Sequence, residues 1–270
     1  MSLSQALSAV GLIRPTRQRG FCPACRLWAA APPGEPRAVH VEIAPPALTA
    51  LAFLAVAAVA WWLMVQQSRS MDGMAMGPGS LGPFAASWTV MMAAMMLPSA
   101  LPLVFEFARN TEGRRGWQTA TGVLGATYLS IWLAFGIACY LVWAVVPVTW
   151  FDQRLVGAAA LALAALYGVT PIKRASEARC RELCALHGPL PFNLMRSATV
   201  VGVKYGLSCI GCSAALMVAM VVIGMANLGW IVVMSAVVLA YKLAPTPSTR
   251  RTLLLSTALG ALGVIYGLMT

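Results

Sequence analysis

Runs of close to twenty consecutive apolar residues recur along this 270-residue chain. Each is long enough to cross the hydrocarbon core of a bilayer as a helix. Inside lipid every backbone N–H and C=O must be satisfied by the segment itself, which leaves helices or a closed barrel. Continuous apolar runs, with no in–out alternation, point to helices. The composition agrees: 60% of residues are hydrophobic and 10% charged, where a soluble chain carries about a quarter charged. The expected fold is all-α, a polytopic transmembrane helix bundle of about seven spans. The spans fall near Ala47–Val65, Phe84–Phe105, Thr119–Val146, Leu155–Val169, Ala198–Met225, Leu228–Leu243 and Thr252–Leu268.

Two regions follow. Residues 1–45 form an Arg- and Pro-rich N-terminal segment without the apolar core of a signal peptide, and residues 46–270 form the transmembrane domain. The net charge of +11 would suggest nucleic acid in a soluble protein. Here Lys and Arg collect in the N-terminal segment and in the loops after the second, fourth and sixth spans, whereas Arg69 and Arg154 are isolated on the opposite side. The excess is therefore one of topology, with no nucleic-acid partner. It places the N-terminus in the cytoplasm and, over seven spans, the C-terminus outside. The expected location is the bacterial inner membrane, in contact with lipid.

Chemistry concentrates on sulfur. Met71, Met74 and Met76 lie with Asp72 in a Gly-rich loop between the first two spans, on the outer side. Met91, Met92, Met95 and Met96 follow in the second span, where residues four apart stack on one helix face. Pro98 and Pro102 come next and are expected to interrupt and kink that helix. Packing is the ordinary role of such methionines. Cys180, Cys184 and His187 lie in the most basic loop, on the cytoplasmic side, with the two thiols on one face of a short helix. Cys209 and Cys212 form a CxxC near mid-membrane, with Met217 beyond. Thioethers and thiolates are soft donors that select Cu(I). Lys204 in the fifth span is expected to snorkel toward the basic side. Cys22 and Cys25 make a weaker CxxC in the N-terminal segment.

Three readings compete. In the first, the protein handles Cu(I) as importer or donor, capturing it on the outer methionines and relaying it through Met and Cys to the inner Cys/His group. Its partners would be a copper chaperone or a copper-dependent membrane enzyme. The second is a thiol–disulfide oxidoreductase using Cys209 and Cys212, exchanging with Cys180/Cys184 or Cys22/Cys25. The third is an accessory subunit of a larger complex or an oligomer, its Ala- and Gly-rich spans serving as partner surfaces. No P-loop, HExxH motif or carboxylate pair marks the chain as an enzyme.

The chain resembles a family of bacterial integral membrane proteins known as predicted metal-binding. The likeness covers about residues 46–268. It rests on Met71–Met76, on Trp88 with Met91–Pro98, on Tyr167–Lys173, on Cys180/Cys184, and on Gly206–Cys212 with Leu216 and Met217. The resemblance implies metal handling, with copper the expected metal. The chain departs from the family pattern at Ser213, where a further Cys is usual, and at Tyr241, where an acidic residue precedes Lys242.

Overall fold

The computed structural model describes residues 45–70, 80–145, 153–184, 193–223, 228–243, 256–258 and 261. These form α1 (Pro45–Ser70), α2 (Leu81–Thr111), α3 (Trp117–Val145), α4 (Gln153–Gly168), α5 (Pro171–Cys184), α6 (Leu194–Ile223) and α7 (Leu228–Leu243), with no strand among the described residues. The all-α expectation holds. Helices α1, α2, α3 and α6 are each long and apolar enough to cross a membrane, and the bent pair α4–α5 can count as a fifth span. Helix α7 has 16 residues. The expected seventh span lies almost wholly outside the described residues.

Helix α2 is the buried centre. It packs on α1 and α3, while α6 packs on α3, α4 and α5. Outward faces stay apolar: Leu48, Leu51, Val56, Val59 and Trp62 on α1, and Leu141, Val142 and Val145 on α3, are exposed. Water-facing surfaces rarely carry apolar patches of that extent, whereas lipid-facing ones do.

Close approach of α3 and α6 rests on two glycines four residues apart, Gly202 and Gly206. A Cβ on Gly202 would lie 2.9 Å from the Leu124 carbonyl oxygen, and one on Gly206 would lie 3.0 Å from the Ile131 side chain. Small residues at this spacing let helix backbones meet in lipid, where no hydrophobic force drives them together. Between α2 and α3, the buried Trp88 indole donates to the Trp132 carbonyl at 2.8 Å and packs on Gly136. Gly113 and Gly116, both with φ near +79°, make the short turn that joins these two helices.

Helix α2 contains Pro98 and Pro102 within its length and extends past Phe105, the expected end of the second span, to bury Glu106, which pairs with Arg109 at 3.0 Å. The short helix expected around Cys180 and Cys184 in the basic loop is helix α5, which begins at Pro171 and packs along α6. Thr170 and Pro171 start it: the Thr170 hydroxyl accepts from the Lys173 N–H at 3.4 Å, and proline suits a first helical turn. The chain bends 66° between α4 and α5. Lys173, counted among the loop charges, is buried and bonds Glu177 at 2.6 Å. Lys242, counted likewise, turns its ammonium into the bundle.

Candidate metal centre

Helix α6 carries a continuous buried face: Tyr205, Cys209, Cys212, Ser213, Leu216, Met217 and Met220. Their spacing of three and four residues puts them on one side of the helix. No disulfide joins these thiols to one another or to Cys139, Cys180 or Cys184. Cys212 Sγ donates to the Cys209 carbonyl at 3.1 Å, as expected for a thiol one turn along the same helix.

Neighbouring helices converge on this face. Tyr128 of α3 sets its hydroxyl 3.1 Å from Cys209 Sγ, an approach that Gly202 and Gly206 make possible. Lys242 of α7 donates to Cys209 Sγ at 2.9 Å and to the Ser99 hydroxyl of α2 at 2.9 Å. The Tyr205 hydroxyl reaches the Ser99 carbonyl at 3.2 Å. Four helices thus meet around one thiol.

Helix α5 adds a third thiol. Tyr167, at the end of α4, bonds the Gly211 carbonyl, so the α4–α5 bend lies level with the middle of α6. Beyond it Ser176 packs on Gly211, and one turn further on the buried Cys180 lies on the face of α5 that packs along α6 beside Cys212. The sequence separates Cys180 and Cys184 from Cys209 and Cys212 as inner and mid-membrane pairs; in the fold they adjoin. The face of α5 turned inward is Lys173, Ser176, Glu177, Cys180, Leu183 and Cys184, while Arg174, Arg179 and Glu182 are exposed.

The methionines of α2 lie just above. Met91, Met92, Met95 and Met96 are at most 3% exposed. Ser99 follows Met95 and Met96 by one turn, so this run ends at the Lys242–Cys209 contact. Among the described residues no three His, Cys, Asp or Glu side chains group at metal-binding spacing; sulfur from Met would have to complete any set larger than a thiol pair. Lys204 is exposed on α6, away from this centre. Met71, Asp72, Met74, Met76, His187, Cys22 and Cys25 lie outside the described residues.

Sequence reasoning passed over Ser99, Tyr128, Tyr205 and Lys242 as parts of the site. A serine one turn beyond the methionine run was the available signal for Ser99. A lysine in the last turn of an apolar helix reads as a boundary charge, and nothing in its spacing tells which way it points.

The fold and centre together define an all-α, membrane-type helical protein with soft sulfur donors gathered in its interior. A family model described as PpoB2: Copper chaperone matches residues 85–269, more than half of the chain. The protein belongs to this copper chaperone family, which ties it to copper. The matched region includes the α2 methionines and all four thiols of α5 and α6, and begins after the Met71–Met76 loop. No curated protein and no solved structure matches the chain.

Proposed function

We propose that the protein is a multi-pass bacterial inner-membrane copper chaperone, an importer or donor that carries Cu(I) as cargo on sulfur ligands within its helix bundle. A pair of thiols among Cys180, Cys209 and Cys212 supplies its central ligands, and Met sulfur completes any larger set. The observation that carries this reading is the packing of α5, with Ser176 against Gly211 and Cys180 buried one turn further on, along the face of α6 that bears Cys209 and Cys212. Two thiolates from different elements suit the low coordination numbers that Cu(I) accepts, and softness selects it over Zn(II) or Mg(II) only when oxygen ligands are few. The inward face of α6 offers Met217 and Met220 as further thioethers.

In this account Met71, Met74 and Met76, with Asp72, gather copper on the outer side. Met91, Met92, Met95 and Met96 pass it toward Ser99 and Cys209, and Cys184 with His187 lies on the way to an inner acceptor. Thioethers bind more weakly than thiolates and do not form disulfides, so the ladder of donors strengthens inward. The acceptor would be a copper chaperone or a copper-dependent membrane enzyme. X-ray absorption at the copper edge of the loaded protein tests the ligand set. Sulfur-only coordination of Cu(I) is expected; a first shell of nitrogen and oxygen would overturn it.

A further inference from the structure

Helix α6 carries two charged residues, Arg196 and Lys204, and the transfer route uses neither. Both are exposed, on the side of α6 turned away from the thiols. Arg196, Val200 and Lys204 follow one another at a spacing of four, so they run along one face of the helix. That face is otherwise apolar: Val200 is 42% and Leu207 58% exposed. Neither the Lys204 ammonium nor the Arg196 guanidinium has a partner among the described residues. With Cys209 near mid-membrane, Lys204 stands about 7 Å below the hydrocarbon edge. An ionised side chain at that depth is costly and usually serves a function.

The turn between α2 and α3 adds further cations. A Cβ on Gly116 would lie 3.8 Å from Met195 Cε, so Arg114 and Arg115 of that turn stand beside the start of α6, with Glu112 as the carboxylate of the same turn. Arg114, Arg115, Arg196 and Lys204 thus border an apolar face at the end of the bundle read as cytoplasmic. We infer that this face binds an anionic phospholipid of the inner leaflet: the phosphate is held between Lys204 and Arg196, the turn arginines surround the headgroup, and an acyl chain lies over Val200 and Leu207. Cα–Cβ bonds in a helix tilt toward its N-terminus, which aims the Lys204 stem toward Arg196. The stem lies along apolar surface and carries its charge to the phosphate level, where a guanidinium offers paired donors to the same group. A zwitterionic lipid brings its own cation, which offsets its phosphate and is repelled by the cluster. An acidic protein could reach the turn arginines, but the depth of Lys204 and the apolar surface around it favour lipid. This rests on the membrane placement proposed above and not on the copper site.

Native mass spectrometry of the detergent-purified full chain is the test, with phosphatidylglycerol and phosphatidylcholine of the same acyl chains offered at equal concentration. Phosphatidylglycerol is expected to be retained several-fold over phosphatidylcholine. The preference should fall to near parity in Lys204→Met/Arg196→Gln and persist in Lys204→Arg, which keeps the charge. Both residues are exposed, so circular dichroism and the melting temperature in neutral detergent should match the parent; the single variants Lys204→Met and Arg196→Gln, each expected to lose part of the preference, serve if the double variant does not fold. Equal retention of the two lipids by the parent, or an unchanged preference in the folded variants, would overturn the inference. Inorganic phosphate and a polyglutamate peptide are offered in separate arms. Displacement of the lipid by phosphate at equal concentration would assign the face to a free anion. Binding of polyglutamate without any lipid preference would assign it to an acidic protein. Either result would overturn the lipid site. Flotation with phosphatidylcholine vesicles tests the membrane placement by itself: a chain that fails to float would overturn that placement together with the lipid site, whereas one that floats without a preference for phosphatidylglycerol would overturn the lipid site alone.

Discussion

Lys242 Nζ and Cys209 Sγ meet at 2.9 Å although they belong to different helices and stand 33 residues apart. The contact joins the end of α7 to the middle of α6, and Ser99 on α2 completes it. Polar groups buried among apolar side chains need partners, because leaving them unpaired is costly. The site is thus also a structural lock, and its parts fall into those that hold the fold and those that offer sulfur.

Methionine packing and methionine ligation can be separated on α2. Met92→Leu and Met96→Leu keep volume and apolar character, so each should cost less than about 1.5 kcal/mol. If the thioethers relay copper, the double variant should keep its melting temperature within a few degrees and pass Cu(I) to a chelating acceptor more slowly. Stopped-flow transfer beside a thermal melt measures both. Unchanged transfer would return these residues to packing alone.

The docking of α5 depends on a missing side chain. A Cβ at Gly211 would collide with Ser176 Oγ. Gly211→Ala should push α5 off α6 at a cost of about 1–3 kcal/mol, the usual range for overpacking, and separate Cys180 from Cys212. A short thiol–thiol crosslinker should bridge these cysteines in the parent protein and lose most of that product in Gly211→Ala. Equal crosslinking in both would show that the helix accommodates the methyl group.

Much of this was legible in the chain, and the gaps have physical causes. Apolar run length located α1, α2, α3 and α6 because lipid imposes a fixed thickness. Soft-donor spacing singled out Cys209, Cys212 and the α2 methionines because chemistry is local. Helix α5 was legible only as a short helix in a basic loop: two of the six residues on its inward face, Lys173 and Glu177, are charged and satisfy one another at 2.6 Å, and a hydropathy reading sends such a segment to water. The meeting of Cys180 and Cys212 depends on how α5 folds back, which no local pattern encodes. Lys242 was misread for a related reason. A charge at a span's edge is informative about topology on average, and its direction is decided by Ser99 and Cys209, far off in sequence.

Trp88 tests the central helix itself. Its indole is fully buried between α2 and α3, bonds the Trp132 carbonyl and fills the space beside Gly136. Trp88→Ala should cost about 3–5 kcal/mol, as large aromatic deletions do. Trp88→Phe loses the hydrogen bond and part of the packing, and should cost less, on the order of 1–3 kcal/mol. Chemical denaturation in a mild detergent should rank the three proteins in that order. A Trp88→Ala protein as stable as the parent would contradict the packing described for α2 and α3.

The most direct measurement for the account is copper content by mass spectrometry of the detergent-purified protein, loaded with Cu(I) under reducing, anaerobic conditions, beside a Cys209→Ser/Cys212→Ser variant. The account predicts stoichiometric copper in the parent and a clear loss in the variant, with helix content by circular dichroism unchanged. Copper retained in full by the folded variant, or absent from the parent, would contradict the claim that these thiols hold the cargo.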